Sequence, residues 1–167
     1  MIKFSKRTRT LTKEFPMKLI STNPNPAGVA RKSLRENPEL AEGCLSHLQW
    51  FVSQTSGITA ALVATTDGFE VSSVLHQTLS AEKMAAMTSS ILALGEAVLS
   101  EADLSDCQNV VIESGDGLIV MLAIGDARKE LLLSVIADRN AMLGQVLWAA
   151  RRCCADIRAA TATMADA

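Results

Sequence analysis

The side chains of this 167-residue chain that could carry chemistry are four cysteines and two histidines. No two cysteines form a C-x-x-C motif, and neither histidine stands at metal-ligand spacing from a cysteine. Cys153 and Cys154 are neighbours on a predicted helix and point about 100° apart, so a disulfide between them is not expected. The pattern predicts no metal site and reduced thiols, which are typical of a cytoplasmic protein.

Motifs for phosphate chemistry or nucleophilic catalysis are absent from the sequence. It contains no G-x-x-x-x-G-K-[ST], and no G-x-G-x-x-G follows a predicted strand. The run Gly115-Asp116-Gly117 has the composition of a phosphate loop, but its apolar flanks favour a hairpin turn. Arg128 on a predicted turn could act as an arginine finger, although a solvated turn is the commoner role. We therefore expect no catalytic residue and no cofactor.

Charge divides the chain into two unlike parts. Residues 1–36 hold nine Lys/Arg and two Glu, a net charge of +7, whereas the remainder carries −9. All four prolines lie between residues 16 and 38, which predicts a flexible basic arm over 1–36. A solubilising tail is the favoured role for this arm. Aromatic residues make up only 4% of the chain, so no nucleic-acid binding is expected. No apolar run is long enough to predict a membrane span.

Hydrophobic periodicity and turn signals predict eight elements in the order α-β-β-α-β-β-β-α. Asn37-Pro38 opens the first helix, Ser80 caps the second, and Asp138 or Asn140 caps the third. A two-residue turn at Asp67-Gly68 is expected to join the first two strands. The predicted strands cover residues 58–65, 69–75, 109–113, 118–124 and 131–137. This order predicts one five-stranded antiparallel sheet with helices on both faces, an α/β fold.

The second helix carries more apolar surface than one sheet requires. Its apolar stripe covers roughly 160° of the helix circumference. The wet side is predicted at Ser89, Ser90, Glu96 and Ser100. The stripe comprises Met84, Met87, Ile91, Leu94, Gly95 and Val98, widened by Leu92 and Leu99. The stripe, with its Met84/Met87 pair, is either plain core or in part a surface for a partner, since methionine is favoured in both settings.

Several segments together resemble the roadblock / dynein light chain domain family, especially its bacterial members described as regulators of Ras-like GTPases. The resemblance runs from about Pro38 to Ile157. It is carried by ATTDGFEV at 64–71, KMAAMTSS at 83–90, LGEA at 94–97, VVIE at 110–113, and Leu-Gly and Leu-Trp within 143–148. Each segment alone is weak, but their order and spacing together are fairly specific.

The resemblance implies a profilin-like α/β/α sandwich that forms a homodimer. In such a dimer the second helices pair, and the third strands join two sheets into one. The implied interface residues are Met84, Met87, Thr88, Ile91, Gly95, Val98, Val110 and Ile112. Which residues of the second helix face the sheet and which face the partner is left open by the sequence.

The function that the resemblance implies is non-enzymatic. The expected role is a bacterial, cytoplasmic signalling protein that binds a Ras-like small GTPase and modulates its nucleotide state, or that scaffolds a complex. The domain is expected over 37–160, with a frayed tail over 161–167. Two alternatives stay open: a sensory module that holds a small ligand, and a hydrolase using Cys107 or a histidine. The identity of the GTPase and the sign of the effect are also open.

Overall fold

A computed structural model describes residues 37–76, 78–125 and 131–165 of the chain. The predicted arm over 1–36 and the turn that carries Arg128 therefore lie outside the described residues. The predicted order of elements is confirmed. The elements are α1 (Pro38–Gln54), β1 (Ile58–Thr65), β2 (Glu70–Val74), α2 (Ala81–Glu101), β3 (Val110–Ser114), β4 (Gly117–Ile124), β5 (Leu131–Asp138) and α3 (Leu143–Ala165). The last helix thus continues beyond residue 160, where the domain was predicted to end.

The five strands form one sheet in the order β2-β1-β5-β4-β3, and every neighbouring pair is antiparallel. β1, β4 and β5 lie inside the sheet and are buried along most of their length. Their near-continuous apolar runs are typical of strands that are covered on both faces. β2 and β3 are the edges, and both are short and partly exposed.

Helices cover the two faces of the sheet unequally. α1 and α3 pack on one face, where they share a large core with Val63, Leu133 and Val135. Among the described residues, only α2 covers the other face, over a smaller cluster that includes Met121 and Leu132. Successive strand residues point to opposite faces, so neighbouring residues of β5 contribute to different clusters. The result is a three-layer α/β/α sandwich, as predicted.

The first helix begins as its cap residues predict. The Asn37 side-chain oxygen accepts hydrogen bonds from the backbone N–H groups of Glu39 (3.0 Å) and Leu40 (3.2 Å). Pro38 occupies the first helical position, where a backbone donor would have had no partner. The buried row of this helix consists of Leu40, Cys44, Leu48 and Phe51.

The first hairpin differs from the predicted two-residue turn. The Gly68 N–H donates to the Thr65 carbonyl (2.9 Å), and the Thr65 N–H donates to the Phe69 carbonyl (2.8 Å). Three residues thus lie between the paired Thr65 and Phe69. Gly68 has a φ of +86°, whereas Asp67 does not take a positive φ. This is a turn closed by a left-handed glycine, the arrangement typical of three-residue hairpin loops.

The start of the last helix was also predicted wrongly. The Asp138 carboxylate accepts a hydrogen bond from the Asn140 N–H (2.8 Å), which closes a turn before the helix. The helix itself begins at Leu143, and the Met142 carbonyl accepts bonds from Gln145 and Val146. Neither predicted residue caps it. Its buried row consists of Val146, Ala149, Ala150, Cys153 and Ile157.

Candidate interaction surface on the second helix

The second helix begins at its predicted cap. The Ser80 hydroxyl oxygen accepts a hydrogen bond from the Lys83 N–H (3.3 Å), and Glu82 lies in the first turn, where it complements the helix dipole. The buried residues of α2 are Ala85, Thr88 and Leu92, which lie against the sheet. Their spacing of three and four residues defines the side of the helix that the sheet covers.

A second row of apolar side chains on α2 points away from the sheet. Met87 is 55% exposed, Leu94 65% and Val98 67%. At about 100° per residue these three side chains fall within roughly 40° of one another, beside the buried row. The broad stripe predicted from sequence is therefore two adjoining surfaces, one on the sheet and one facing outward. This outward surface of Met87, Leu94 and Val98 is called the α2 apolar row.

Three residues of the predicted interface lie at the boundary between these surfaces. Met84 packs against the cluster beneath the start of α2, and Ile91 packs against the cluster that contains Leu92. Both are partly exposed. A Cβ at Gly95 would lie 3.1 Å from a Val110 methyl group and 3.2 Å from the Cys107 sulfur. Gly95 therefore lets α2 approach β3 closely.

Two polar residues of α2 lie elsewhere than the sequence predicted. Thr88, predicted at the interface, is fully buried, and its hydroxyl has no hydrogen-bond partner among the described residues. Ser89, predicted on the wet side, is half-buried, and its hydroxyl donates to the Thr66 carbonyl of the first hairpin. Ser89 is one turn after the buried Ala85, which explains why it faces the protein rather than solvent.

The edge strand β3 extends the α2 apolar row. Val110 and Ile112 point to the α2 side of the sheet, because they pair with Met121 and Ile119, which pack on that side. α2 covers Val110 only in part, and Ile112 is 42% exposed. β3 pairs with β4 alone, so its other edge has no strand beside it in the described residues.

The segment of sequence that carries this surface is acidic. Residues 81–116 hold seven Asp/Glu against the single basic residue Lys83. Two copies of this segment that approach one another would therefore repel at low ionic strength, unless the burial of apolar side chains outweighs the repulsion.

Burial raises the thiol pKa of three of the four cysteines. All four are free thiols, as predicted, and Cys107 is buried with Leu92 beneath α2. Burial raises the pKa of Cys44 to about 11. Burial, together with the nearby Asp156 charge, raises the pKa of Cys153 to about 12. Burial and the neighbouring Cys153 raise that of Cys154 to about 12. Thiolate, the nucleophilic form, is therefore scarce at neutral pH for these three residues.

The histidines are not paired with these thiols in a metal site. His47 lines a groove between α1 and α3, and His76 is exposed after β2. Within residues 37–76, 78–125 and 131–165, no cluster of three or more His, Cys, Asp or Glu side chains could hold a metal ion. The same part of the chain contains no helix that is long and apolar enough to cross a membrane.

The sheet order and the helices on both faces define an α/β/α sandwich, and its second helix carries an exposed apolar row. The model of the Roadblock/LC7 domain matches residues 48–137, more than half of the chain. The chain therefore belongs to the Roadblock/LC7 domain family.

The chain is also similar to one curated protein and to several solved structures. An uncharacterized protein of Methanocaldococcus jannaschii is 26% identical over 120 residues, which are 72% of this chain and 98% of the relative. A Roadblock/LC7 domain from Streptomyces avermitilis superposes with a TM-score of 0.64 at 23% identity, over 70% of this chain and 96% of that one. MglB from Myxococcus xanthus has a TM-score of 0.68 at 15% identity, over 76% and 93% of the two chains.

The likeness extends to profilin itself. Profilin IB of Acanthamoeba castellanii superposes with a TM-score of 0.53 at 9% identity, over 70% of this chain and 98% of that chain. At such identities these structures show the fold alone. The profilin-like sandwich is thereby confirmed.

Proposed function

We propose that this protein is a homodimeric, non-catalytic regulator or scaffold for a Ras-like small GTPase, acting in the bacterial cytoplasm. The observation that carries the proposal is the α2 apolar row beside the free edge of β3, in a member of the Roadblock/LC7 family. The GTPase and the regulatory role rest on the resemblance to the bacterial members of that family. The free thiols are in keeping with a reducing compartment.

Physical chemistry favours a second copy of the chain on the α2 apolar row. Full burial of a Met, Leu or Val side chain contributes roughly 1.5–3 kcal/mol, and a twofold arrangement would bury the row of both copies at once. Pairing of the two β3 edges would add backbone hydrogen bonds and remove an exposed sheet edge. Such gains are needed, because association itself costs an estimated 4–15 kcal/mol.

Light scattering on Leu94→Asp tests the dimer. A carboxylate in the centre of the row would be buried without a partner, so the variant should run as a monomer at micromolar concentration, where the parent protein is a dimer. Ala93→Asp is the matched control, because Ala93 is exposed on the same helix and lies outside the row. A dimer that survives Leu94→Asp, or is equally lost in Ala93→Asp, would contradict the proposed interface.

A separate experiment tests the GTPase. A Ras-like GTPase encoded beside this gene would be used in a pull-down, followed by measurements of GTP hydrolysis and nucleotide exchange with the intact dimer. Binding together with a changed rate would support regulation, and binding alone would support a scaffold. A stable dimer that neither binds the GTPase nor changes its rates would contradict this part of the proposal and leave the dimer standing.

A further inference from the structure

A pocket lies between α3 and the strands β3 and β4, apart from the groove between α1 and α3. α3 contributes Arg151, Cys154, Ala155 and Arg158 to its lining. Facing them are residues of β4 and Gln108, which comes two residues before β3. The pocket encloses about 180 Å³. We call it the α3–β4 pocket, and two of its side chains are positively charged.

Helical spacing brings the two arginines to one side of α3. Arg151 and Arg158 are seven residues apart, so their side chains leave the helix within about 20° of one another and about 10 Å apart along its axis. Cys154 and Ala155 lie between them and also line the pocket, and both side chains are short. The pocket therefore occupies the space that these short side chains leave between two long ones.

Contacts of each arginine direct its charge to this pocket. Arg151 Nη2 donates to Asn109 Oδ1 (3.3 Å), so its side chain reaches from α3 to the start of β3. A guanidinium has five N–H donors, and this contact uses one of them. Burial raises the pKa of Cys154 to about 12, whereas the Arg158 charge acts to lower it. The Arg158 guanidinium is thus close to a thiol that lines the pocket.

The sign of the charge in the pocket is opposite to that of the protein around it. The described residues include thirteen Asp/Glu and five Lys/Arg. None of these carboxylates lines the pocket, whereas two of the five basic side chains do. Arg152 lies instead at the groove between α1 and α3, where its Nε donates to Asp156 Oδ1 (3.4 Å). The α3–β4 pocket is therefore suited to an anion.

We infer that the α3–β4 pocket binds a phosphate group, which accepts hydrogen bonds from Arg151, Arg158 and the side-chain amide of Gln108. A phosphate monoester carries close to two negative charges at neutral pH and has three terminal oxygens, so it can meet guanidinium groups on two sides at once. A carboxylate has one charge and two oxygens in a single plane, which match one guanidinium fork. Two arginines on separate helical turns therefore favour phosphate.

The size of the pocket agrees with this ligand class. Its volume of about 180 Å³ is below the roughly 300–1,000 Å³ of pockets that hold whole drug-sized ligands. It has room for a phosphate group and a short part of the molecule that carries it. The inference concerns other residues than the α2 apolar row, and it does not rest on the proposed dimer or on the GTPase.

Amide NMR spectra of the full, isotope-labelled chain test the inference. The probe is inorganic phosphate at about pH 7.5, where it is mostly doubly charged. Sodium chloride is withdrawn as phosphate is added, so that ionic strength and general screening stay constant. The side-chain amide of Gln108 and the backbone amide of Gly125, which also lines the pocket, should shift and saturate with a dissociation constant of about 1 mM.

Three variants locate the site. Arg158→Gln should weaken phosphate binding at least about tenfold, because charge-assisted hydrogen bonds are lost. Arg151→Lys keeps the charge without the planar fork and should weaken binding several-fold. Arg152→Gln is the matched control, because Arg152 is exposed on the same helix and does not line this pocket, so the dissociation constant should stay within about twofold. Amide signals of β1 should be the same in all three variants and the parent, which checks that the fold is kept.

A tripeptide with a central phosphoserine, and its serine twin, identify the source of the phosphate group. Binding of the phosphopeptide about tenfold more tightly than inorganic phosphate would assign the pocket to a phosphorylated side chain of a protein. Equal affinities would assign it to inorganic phosphate or a small phosphate ester. Both results support the inference, and the serine twin should leave the spectra unchanged.

Three results would overturn the inference. One is the lack of any saturable shift at the pocket with either phosphate probe up to about 20 mM. Another is equal weakening by Arg152→Gln and Arg158→Gln, which would mean that phosphate responds only to the overall charge of α3. The third is an equal response to acetate at the same concentration and ionic strength, which would make the pocket a carboxylate site.

Discussion

The two faces of the sheet both expose apolar side chains, but they do so in different settings. The α2 face presents an aliphatic row beside the outer edge of β3, which pairs with no second strand among the described residues, within an acidic segment. The α1–α3 face presents two tryptophans at a groove that Arg152 and Asp156 also line. A row that runs along a helix beside a sheet edge suits a second copy of the same fold. The groove on the other face is lined by aromatic and apolar side chains and by the paired Arg152 and Asp156, so the two faces offer different surfaces.

The two faces also differ in how much core they cover, and neighbouring residues of β5 can measure this. Leu133 is fully buried under α1 and α3, whereas Leu132 lies in the smaller cluster under α2. Leu→Ala in a core costs about 2–5 kcal/mol, and the cost falls where the site can relax. We expect the loss of unfolding free energy to be near the top of this range for Leu133→Ala and near the bottom for Leu132→Ala.

Urea denaturation at one protein concentration would measure both variants. The parent and the variants must have the same oligomeric state, because dimerisation adds its own stabilisation. Equal losses would mean that the α2 side is packed as firmly as the α1–α3 side, and the contrast between the faces would be lost.

A smaller effect is expected at Thr88, the polar residue buried between α2 and the sheet. Its hydroxyl has no partner among the described residues, so Thr88→Val removes an unsatisfied group at nearly constant volume. The unfolding free energy should be unchanged or rise by up to about 1 kcal/mol, and the dimer should persist. Thermal melts and light scattering would measure the two quantities. A loss of more than about 1 kcal/mol would indicate that a buried water satisfies this hydroxyl in solution.

The smallest effect on the unfolding free energy at neutral pH is expected from the buried thiols of α1 and α3. The folded-state pKa values of Cys44 and Cys153, about 11 and 12, lie above the ordinary value of 9.0. Their neutral forms therefore stabilise the folded state fully below pH 9, and this contribution is lost as pH rises through the folded-state values. We expect these thiols to leave stability constant between about pH 6 and 8 and to lower it above about pH 9.

Cysteine-to-serine variants would separate this effect from the titration of lysine. Cys107→Ser, on the α2 side, provides the comparison. If the unfolding free energy falls as steeply above about pH 9 in Cys44→Ser as in the parent protein, this thiol is not the cause of the fall.

Much of the fold could be predicted because its signals are local. Asn37-Pro38 and Ser80 satisfy backbone donors within a few residues of themselves, and β1 reads as apolar on both faces whatever covers it. The prediction failed where a local pattern allows two outcomes. Asp67-Gly68 fits a two-residue turn, but Gly68 lies opposite Ala86 of α2, which a Cβ would approach to 3.1 Å. The three-residue loop between Thr65 and Phe69 forms instead, and it packs on α2.

The groove between α1 and α3, which Trp50 and Trp148 line, was not predicted at all. Periodicity already placed Trp50 and Trp148 away from the buried rows of their helices, and this was the available signal. It could not show that both side chains line one groove, because 97 positions of sequence separate them and only the packing of α1 against α3 forms that groove. Arg152 was likewise visible in the sequence as a charge, but its place beside this groove was not.

The sequence by itself determined the eight elements, their order and the excess apolar surface of the second helix, since these depend on residue type and spacing along the chain. Only the tertiary structure decided how that surface divides. It turned Thr88 and Leu92 towards the sheet and left Met87, Leu94 and Val98 outside. The physical reason is that helical periodicity fixes the angles between side chains, whereas the rotation of the helix about its axis is set by what it packs against.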